Sequence, residues 1–189
     1  MTEIKQVDGQ PVRRRRADAD RSRAATLAAA ISVLGESPEA SVESIAAAAG
    51  VTRQTVYAHF PSRDALLVAV ADQLTGELLA EYGRLDLESG TAMDALLLLI
   101  DTGRRFSEQH PVRLYPAAAT GDDQRHQPIN ELLTKTIRRG QRTGEFTKEL
   151  PATWLANATI ALSHAAADLP ARKATTTLHT TLRRLLLGT

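Results

Sequence analysis

A short polar segment, Thr52 to His59, carries the side chains best suited to chemistry in this 189-residue sequence. Arg53, Gln54 and Thr55 follow one another within it. An arginine can donate two hydrogen bonds to guanine, a glutamine can pair with adenine through two bonds, and a threonine methyl group can contact thymine. If the segment is the exposed face of a helix, it predicts base reading in the major groove of DNA. The alternative is an ordinary solvated helix surface.

A run of four arginines, Arg13 to Arg16, lies near the N-terminus, and Arg21 and Arg23 follow closely. Six arginines within eleven residues create a local positive field that suits phosphate. The formal net charge of the whole chain is only +1, so the positive charge is concentrated here rather than spread over the molecule. Taken alone, the run fits a solvated basic tail as well as a nucleic-acid contact.

The elements that hold these side chains are predicted to be helices. Alanine and leucine recur at helical spacings, and alternating polar and apolar runs are absent, so we expect an all-α fold. Residues 1 to 17 have no apolar period, and we expect them to be disordered. A first helix is predicted over residues 18 to 34, since Gly35 and Pro38 follow its last apolar residue.

Residues 41 to 60 have the layout of two short helices joined by a tight turn. Ser41 and Thr52 are good N-caps for the two helices. Gly50 permits a backbone turn that most residues resist, so the helices can cross at a steep angle. With the longer helix before them, they predict a helix-turn-helix whose outward face is the polar segment described above.

The stretch G-V-T-R-Q-T-V-Y-A-H-F-P-S-R-D-A-L-L, at residues 50 to 67, strongly resembles the DNA-binding module of the TetR family of bacterial regulators. The Tyr-x-His-Phe element, followed by a short turn, a basic residue and two leucines, is the most specific part. The resemblance is strong over residues 20 to 75 and weaker beyond. The segment G-Q-R-T-G-E-F, at residues 140 to 146, is also similar to the C-terminal domain of the family.

The resemblance implies a role for each matching residue. Arg53 and Gln54 stand where the family reads base edges, and Thr55 stands close to bases or backbone. Arg63 stands where many members have lysine, so its charge is kept, whereas Ala58 replaces a larger side chain that contacts DNA in some members. The implied phosphate contacts are Ser41, Thr52, Tyr57, His59 and Arg63. An arm formed by Arg13, Arg14, Arg15 and Arg16 is expected to lie in the adjacent minor groove.

The resemblance also implies an N-terminal three-helix helix-turn-helix domain and a C-terminal helical domain that binds a ligand and dimerises. We place a disordered basic arm at residues 1–17, the DNA-binding domain at residues 18–63, and the effector-binding and dimerisation domain at residues 64–189. Apolar periodicity predicts one helix that starts near Arg63, at the boundary of the last domain. It predicts four further helices within that domain, at residues 92–109, 129–144, 151–167 and 172–187.

The last two helices are the expected dimer interface. Each is amphipathic, so the pair could form half of a four-helix bundle with a second copy. The residues of the two apolar faces are Ala158, Ala161, Leu162, Ala165 and Ala166, then Ala174, Leu178, Leu182, Leu185 and Leu186. The alternative is that both faces pack only inside one subunit. A symmetric dimer would place two reading helices about 34 to 36 Å apart on a palindromic site.

An effector pocket is expected among the few large or polar side chains of the C-terminal helices. The candidates are Met93, Asp101, Phe106, Tyr115, Trp154 and His164. A lone tryptophan or histidine on a helix is more often a core or surface residue than a ligand contact. The chemistry of the ligand does not follow from these residues.

The sequence excludes several other functions. It has no cysteine, so thiolate metal sites and disulfides are excluded, and its five histidines do not show a metal-binding spacing. It contains no glycine-rich phosphate loop, no His-Glu-x-x-His and no Gly-x-Ser-x-Gly. We therefore expect no enzymatic activity, no cofactor and no metal. The N-terminus lacks a signal peptide, and no apolar run could cross a membrane, so we expect a cytoplasmic protein.

The sequence therefore predicts a DNA-binding transcriptional regulator. Because most members of the family it resembles are repressors, we expect a homodimeric repressor that a small-molecule effector releases from a palindromic operator. The alternative is a DNA-binding regulator without a small effector, which acts constitutively or responds to a protein partner.

Overall fold

The structure of the chain, a computed structural model, describes residues 10–112 and 127–187. Those residues contain eight α-helices and no strand, which confirms the predicted all-α fold. The helices are α1 Gln10–Glu36, α2 Val42–Ala48, α3 Arg53–His59, α4 Arg63–Tyr82, α5 Ala92–Gln109, α6 Gln127–Thr143, α7 Ala152–Ala166 and α8 Ala171–Leu187. No helix in these residues has the length and apolarity needed to cross a bilayer.

Helix α1 begins earlier than the sequence predicted, at Gln10 rather than near residue 18. Residues 10 to 17 are therefore helical, in contrast to the expected disorder, and residues 1–9 lie outside the described part. Arginine and alanine are good helix formers, and proline is tolerated in a first turn. Asp18 also accepts a hydrogen bond from Arg21 one turn later, which supports the exposed part of the helix. An apolar period is therefore not required for this stretch to be helical.

The chain folds into two compact units, and the boundary between them falls between Ala71 and Asp72, within the continuous helix α4. The predicted domain boundary stood eight residues earlier, at the start of that helix. The first unit also includes the described residues His110 to Val112, where Pro111 lies next to Gly35 of α1.

The core of the first unit forms where α1, α2 and α3 pack together. Its most deeply buried side chains are Leu34, Ile45, Val56, Leu66 and Val70. The buried face of α1 also includes Thr26, whose hydroxyl donates to the carbonyl of Ser22 at 2.8 Å. This internal bond allows a polar side chain to be buried at little cost.

The second unit is built around helix α5. Most of its apolar run is buried, namely Leu96, Leu97, Leu99 and Ile100, whereas Leu98 is exposed, and the helix packs with α6 and α8. The helix begins with a capping box, because Thr91 accepts from the backbone N–H of Asp94 at 3.0 Å while the Asp94 carboxylate accepts from Thr91. The hydrogen bonds from Thr91 lower the pKa of Asp94.

The segment from Gly140 to Phe146 joins three helices of the second unit. Gly144 adopts a φ of +78°, which ends α6 and turns the chain back. The Glu145 carboxylate then accepts from the backbone N–H groups of Ala92 and Met93 at 2.7 and 2.9 Å, at the positive end of α5. Phe146 is buried.

Beyond Phe146, the N–H of Thr147 donates to the carbonyl of Leu186 in α8 at 2.8 Å. The Gln141 amide donates to the carbonyls of Thr147 and Leu150, at 2.9 Å each, and so holds the segment against α6. These contacts are a structural reason for the sequence G-Q-R-T-G-E-F.

Replacing Gly140 with alanine is expected to lower the free energy of unfolding by about 1–3 kcal/mol, because it overpacks a filled site. A Cβ atom at this position would lie within 2.7 Å of three atoms of the Phe146 ring, which cannot move without disturbing the core. Urea denaturation of the whole chain measures the effect.

The matched control is Gly76→Ala, at an exposed site in α4 where a Cβ meets no atom within 4 Å. That change is expected to stabilise the chain by about 0.5–1 kcal/mol, because alanine favours a helix more than glycine does. Equal stability changes in the two variants would contradict the described packing of Phe146.

Candidate nucleic-acid interface

The turn between α2 and α3 is built by one glycine and two caps. Gly50 has a φ of +66°, a conformation that side chains resist. The side chain of Ser41 accepts from the N–H of Ser44 at 3.1 Å, and that of Thr52 accepts from the N–H of Thr55 at 3.1 Å. Both predicted caps are confirmed, and the polar face of α3 is directed away from the core.

Arg53 lies on the exposed face of α3 and is held from two sides. One terminal nitrogen forms an ion pair with Glu43 of α2. The other donates to the Tyr57 hydroxyl at 3.4 Å, and the guanidinium lies 5.2 Å from the centre of the Tyr57 ring. The hydrogen bond to Tyr57 and the charge of Glu43 raise the pKa of Arg53. The proposed reading residue therefore has two partners on its own unit, Glu43 and Tyr57.

The other two predicted readers have different surroundings. Gln54 is exposed next to Arg53. Thr55 is half-buried, and its hydroxyl lies 2.8 Å from that of Thr52. The structure thus presents Arg53 and Gln54 outward, whereas the Thr55 hydroxyl is engaged in the cap of its own helix.

His59 is oriented by the first helix. Its Nε2 lies 2.7 Å from the hydroxyl oxygen of Ser22. The same hydroxyl lies 2.9 Å from the carbonyl of Ala19, so Ser22 joins the imidazole to the backbone of α1. The sequence showed a histidine beside the reading face but not the residue that orients it, which stands 37 positions earlier.

Arg63 holds the loop before α2. One of its terminal nitrogens donates to the carbonyl of Pro38 at 3.0 Å and approaches that of Ala40 at 3.5 Å. These contacts fix the backbone that leads into Ser41. Sequence reasoning assigned Arg63 to phosphate and did not foresee this structural role. The phosphate contact stays a prediction.

Two further residues of the first unit escaped sequence reasoning. Glu43 was missed because its partner Arg53 stands on a different helix. The sequence did carry one signal for Glu43, since a carboxylate in the first turn of a helix interacts favourably with the positive end of the helix dipole. Arg23 was considered only as part of the basic run, but its guanidinium lies 5.2 Å from the centre of the Phe60 ring. It therefore covers the end of α3.

The arginine run lies on the first turns of α1. The side chains of Arg14, Arg15 and Arg16 are exposed, and that of Arg13 lies outside the described part of the chain. Consecutive helical residues point in different directions around the axis, so the charges of Arg14, Arg15 and Arg16 are spread around the first turns of α1. The contact of this segment with the minor groove stays a prediction.

The predicted effector residues that the structure describes are dispersed over the second unit. Met93 and Phe106 are buried, and the carboxylate of Asp101 lies 2.8 Å from Nε2 of His179 on α8. Tyr115 lies outside the described residues. Trp154 is 52% exposed and His164 is also exposed, since α7 turns the opposite face to the core.

Two surface depressions of the second unit lie elsewhere. One, of about 340 Å³, is lined by Arg138, Gln141, Arg142 and Lys148. The other is lined by Leu87, Glu88, Leu132, Lys135, Thr136, Arg139 and Arg142. None of the predicted effector residues lines either depression. Within the described ranges, no three histidine or carboxylate side chains are grouped as metal ligands would be.

A capped helix-turn-helix with an outward polar helix, in a chain whose described elements are all helices, is the arrangement of a helix-turn-helix DNA-binding protein. The family model of bacterial regulatory proteins of the TetR family matches residues 27–70. A relative from Bacillus subtilis, the HTH-type transcriptional regulator YvdT, is 31% identical over 149 residues that span 75% of its length. The chain belongs to the TetR family of transcriptional regulators, which are not enzymes.

The HTH-type transcriptional repressor LfrR of Mycolicibacterium smegmatis is 40% identical over 83 residues, which span 44% of each chain. Its solved structure in complex with proflavine superimposes with a TM-score of 0.67 and 26% identity, covering 90% of this chain and 98% of that one. A TetR family regulator from Shewanella has a TM-score of 0.70 at 21% identity, covering 89% and 99%. At this identity, the likeness to the Shewanella structure supports the fold alone.

Replacing Arg13, Arg14, Arg15 and Arg16 with alanine is expected to weaken binding to DNA and to flatten its salt dependence. For each phosphate that the variant no longer binds, the slope of log affinity against log salt should fall by about 0.9. Alanine keeps the helix, so the fold of α1 is preserved. Binding titrations at several salt concentrations measure both quantities. An unchanged affinity with an unchanged slope would show that these arginines do not contact DNA.

Proposed function

We propose that this chain is a dimeric repressor that binds a palindromic operator in the bacterial cytoplasm and is released from it by a small molecule. The observation that carries the proposal is the exposed pair Arg53 and Gln54 on a helix whose N-terminus is capped, with Arg53 in contact with Glu43 and Tyr57. The relationship to LfrR, which is a repressor and whose solved structure holds proflavine, supports both the sign of regulation and the ligand response.

In this proposal the first unit divides its contacts between bases and phosphates. Arg53 reads guanine and Gln54 reads adenine, each through two hydrogen bonds. Ser41, at the N-terminus of α2, offers a phosphate the positive end of the helix dipole and free backbone N–H groups. The remaining phosphate contacts are Thr52, Tyr57, His59 and Arg63, with Thr55 at the edge of the reading face.

The dimer interface in this proposal differs from the one expected from periodicity. The apolar face of α8 is buried within its own subunit, at Ala174, Leu178, Leu182 and Leu186. Helix α7 instead carries a stripe on its outer side, one turn apart, that consists of Trp154, Ala158, Ala161 and Ala165. An exposed tryptophan beside small residues is suited to close packing against a second copy. We therefore propose that the α7 stripe forms the contact between the two subunits of the dimer.

The effector is proposed to act through a shift between two conformations. A ligand that binds one of them more tightly shifts the population towards it and weakens DNA binding by the same coupling free energy. We place the effector site in the second unit. Of the predicted residues, Asp101 is the best suited to a polar contact, because its carboxylate is partly exposed beside His179.

Arg53→Ala is expected to relax the preference at one base-pair position of each half-site, at a cost of about 1–3 kcal/mol on the preferred operator. Selection of bound sequences from random DNA with the wild-type chain gives the operator, its symmetry and the half-site spacing. Competition between the operator and random DNA then gives the effect of the variant.

The matched control is Arg84→Ala, which removes an exposed charge from the second unit. It is expected to leave the base preference unchanged. If Arg53→Ala weakened operator and random DNA equally, Arg53 would not be a base-reading residue. A selected site without two-fold symmetry would contradict the dimer.

A panel of hydrophobic and cationic compounds, with proflavine as the first, is expected to include one that stabilises the chain and weakens operator binding. At a concentration of about one hundred times its Kd, such a ligand adds about 2.7 kcal/mol to the free energy of unfolding. Thermal denaturation and operator titrations detect the two effects. A panel without any stabilising compound, or stabilisation that leaves operator binding intact, would favour the alternative of a regulator without a small effector.

A further inference from the structure

Glu43 is the one acidic side chain that the described structure pairs with the reading helix. It lies in the first turn of α2, two residues after the cap Ser41, and it pairs with Arg53. Both side chains are more than half exposed. An exposed ion pair of this kind contributes little to folding stability. Its position on the DNA-binding face suggests a role in recognition.

The hydrogen-bonding capacity of Arg53 shows what the pair can do. A guanidinium has five N–H groups, of which each terminal nitrogen carries two. Glu43 engages one terminal nitrogen and Tyr57 engages the other. Each nitrogen therefore keeps a second N–H. In the proposal below, those two groups donate to the O6 and N7 atoms of guanine.

We propose that Glu43 is a specificity-determining residue that positions Arg53 for guanine and prevents it from binding phosphate on other sequences. This inference rests on the proposed function, in which Arg53 reads a base. Glu43 itself does not contact DNA in this proposal. It acts through the guanidinium that it holds.

The electrostatics of α2 explain how Glu43 would prevent Arg53 from binding phosphate on other sequences. Ser41 at the start of the helix is the expected position of a phosphate, and Glu43 is in the same helical turn. While Arg53 neutralises the carboxylate, the phosphate meets little repulsion. If Arg53 moves to a backbone phosphate, the uncompensated carboxylate is left beside the bound DNA. Guanine at the read position allows Arg53 to bind without this penalty.

Tyr57 supports the same orientation from the other side. Its ring lies 5.2 Å from the guanidinium carbon and restricts the plane of the group, because a cation is attracted to the face of an aromatic ring. With Glu43 on one side and Tyr57 on the other, Arg53 has few other orientations to lose on binding. Such preorganisation favours the sequence that fits it.

The experiment compares the wild-type chain with Glu43→Gln, Arg53→Ala and the double variant. Each is used in selection from random DNA and then in titrations with the selected operator and with random duplex. Glu43→Gln is expected to reduce the preference for guanine at the Arg53 position about tenfold, within the range of one bidentate contact. Its slope of log affinity against log salt on random DNA is expected to steepen by about 0.9, since Arg53 is freed to bind one more phosphate.

The matched control is Glu36→Gln, which changes the charge of the same unit at an exposed residue at the end of α1. It is expected to leave base preference and salt slope unchanged. In the Arg53→Ala background, Glu43→Gln is expected to have no further effect on base preference, because the two residues act as one unit. Thermal denaturation confirms that all variants fold.

The outcomes separate this inference from the proposed function. If the wild-type chain selects no sequence, the proposed function fails, and this inference fails with it. If the wild-type chain selects an operator and Glu43→Gln keeps the same base preference, only the role of Glu43 is overturned. An equal effect of Glu36→Gln, or an undiminished effect of Glu43→Gln in the absence of Arg53, would likewise overturn it and indicate a general charge effect.

Discussion

The backbone of Gly50, with its positive φ, determines what the first unit can present to a partner. Because the chain turns here without strain, α2 and α3 bury Ile45 and Val56 on the same side. The polar residues of α3 are then directed outward. Ser41, the N-cap of α2, belongs to the same unit. The ion pair from α2 to Arg53, which brings a carboxylate to the reading helix, also requires this turn.

The features that the sequence predicted are those decided within one or two helical turns. The caps Ser41, Thr52 and Thr91 were predictable because a hydroxyl before a helix bonds a backbone N–H nearby. The start of α1 was not predictable in this way, since a helix can form from good helix formers without an apolar stripe. The polar face of α3 and the choice of Arg53 and Gln54 as its readers followed from residue types, whereas the predicted phosphate contacts depended on family resemblance.

Interactions between distant residues account for most of what was missed. Ser22 orients His59, Arg63 binds the loop before α2, and Glu145 caps a helix more than fifty residues before it. Each pair stands on separate elements, so no local pattern links its members. The effector residues failed to gather for a similar reason. The α7 residues chosen for their type were exposed, because which face of α7 is buried depends on α6 and α8.

The segment that begins at Gly140 joins α5, α6 and α8 through one carboxylate, one ring and one backbone hydrogen bond. The join lies at the N-terminus of α5 and at the ends of α6 and α8, so the middle portions of these helices take no part in it. The buried side chains of those middle portions, such as Leu96, Ile137 and Leu182, form the core instead. The exposed positions of the same helices belong neither to the join nor to the core, so substitutions at those positions leave the frame in place.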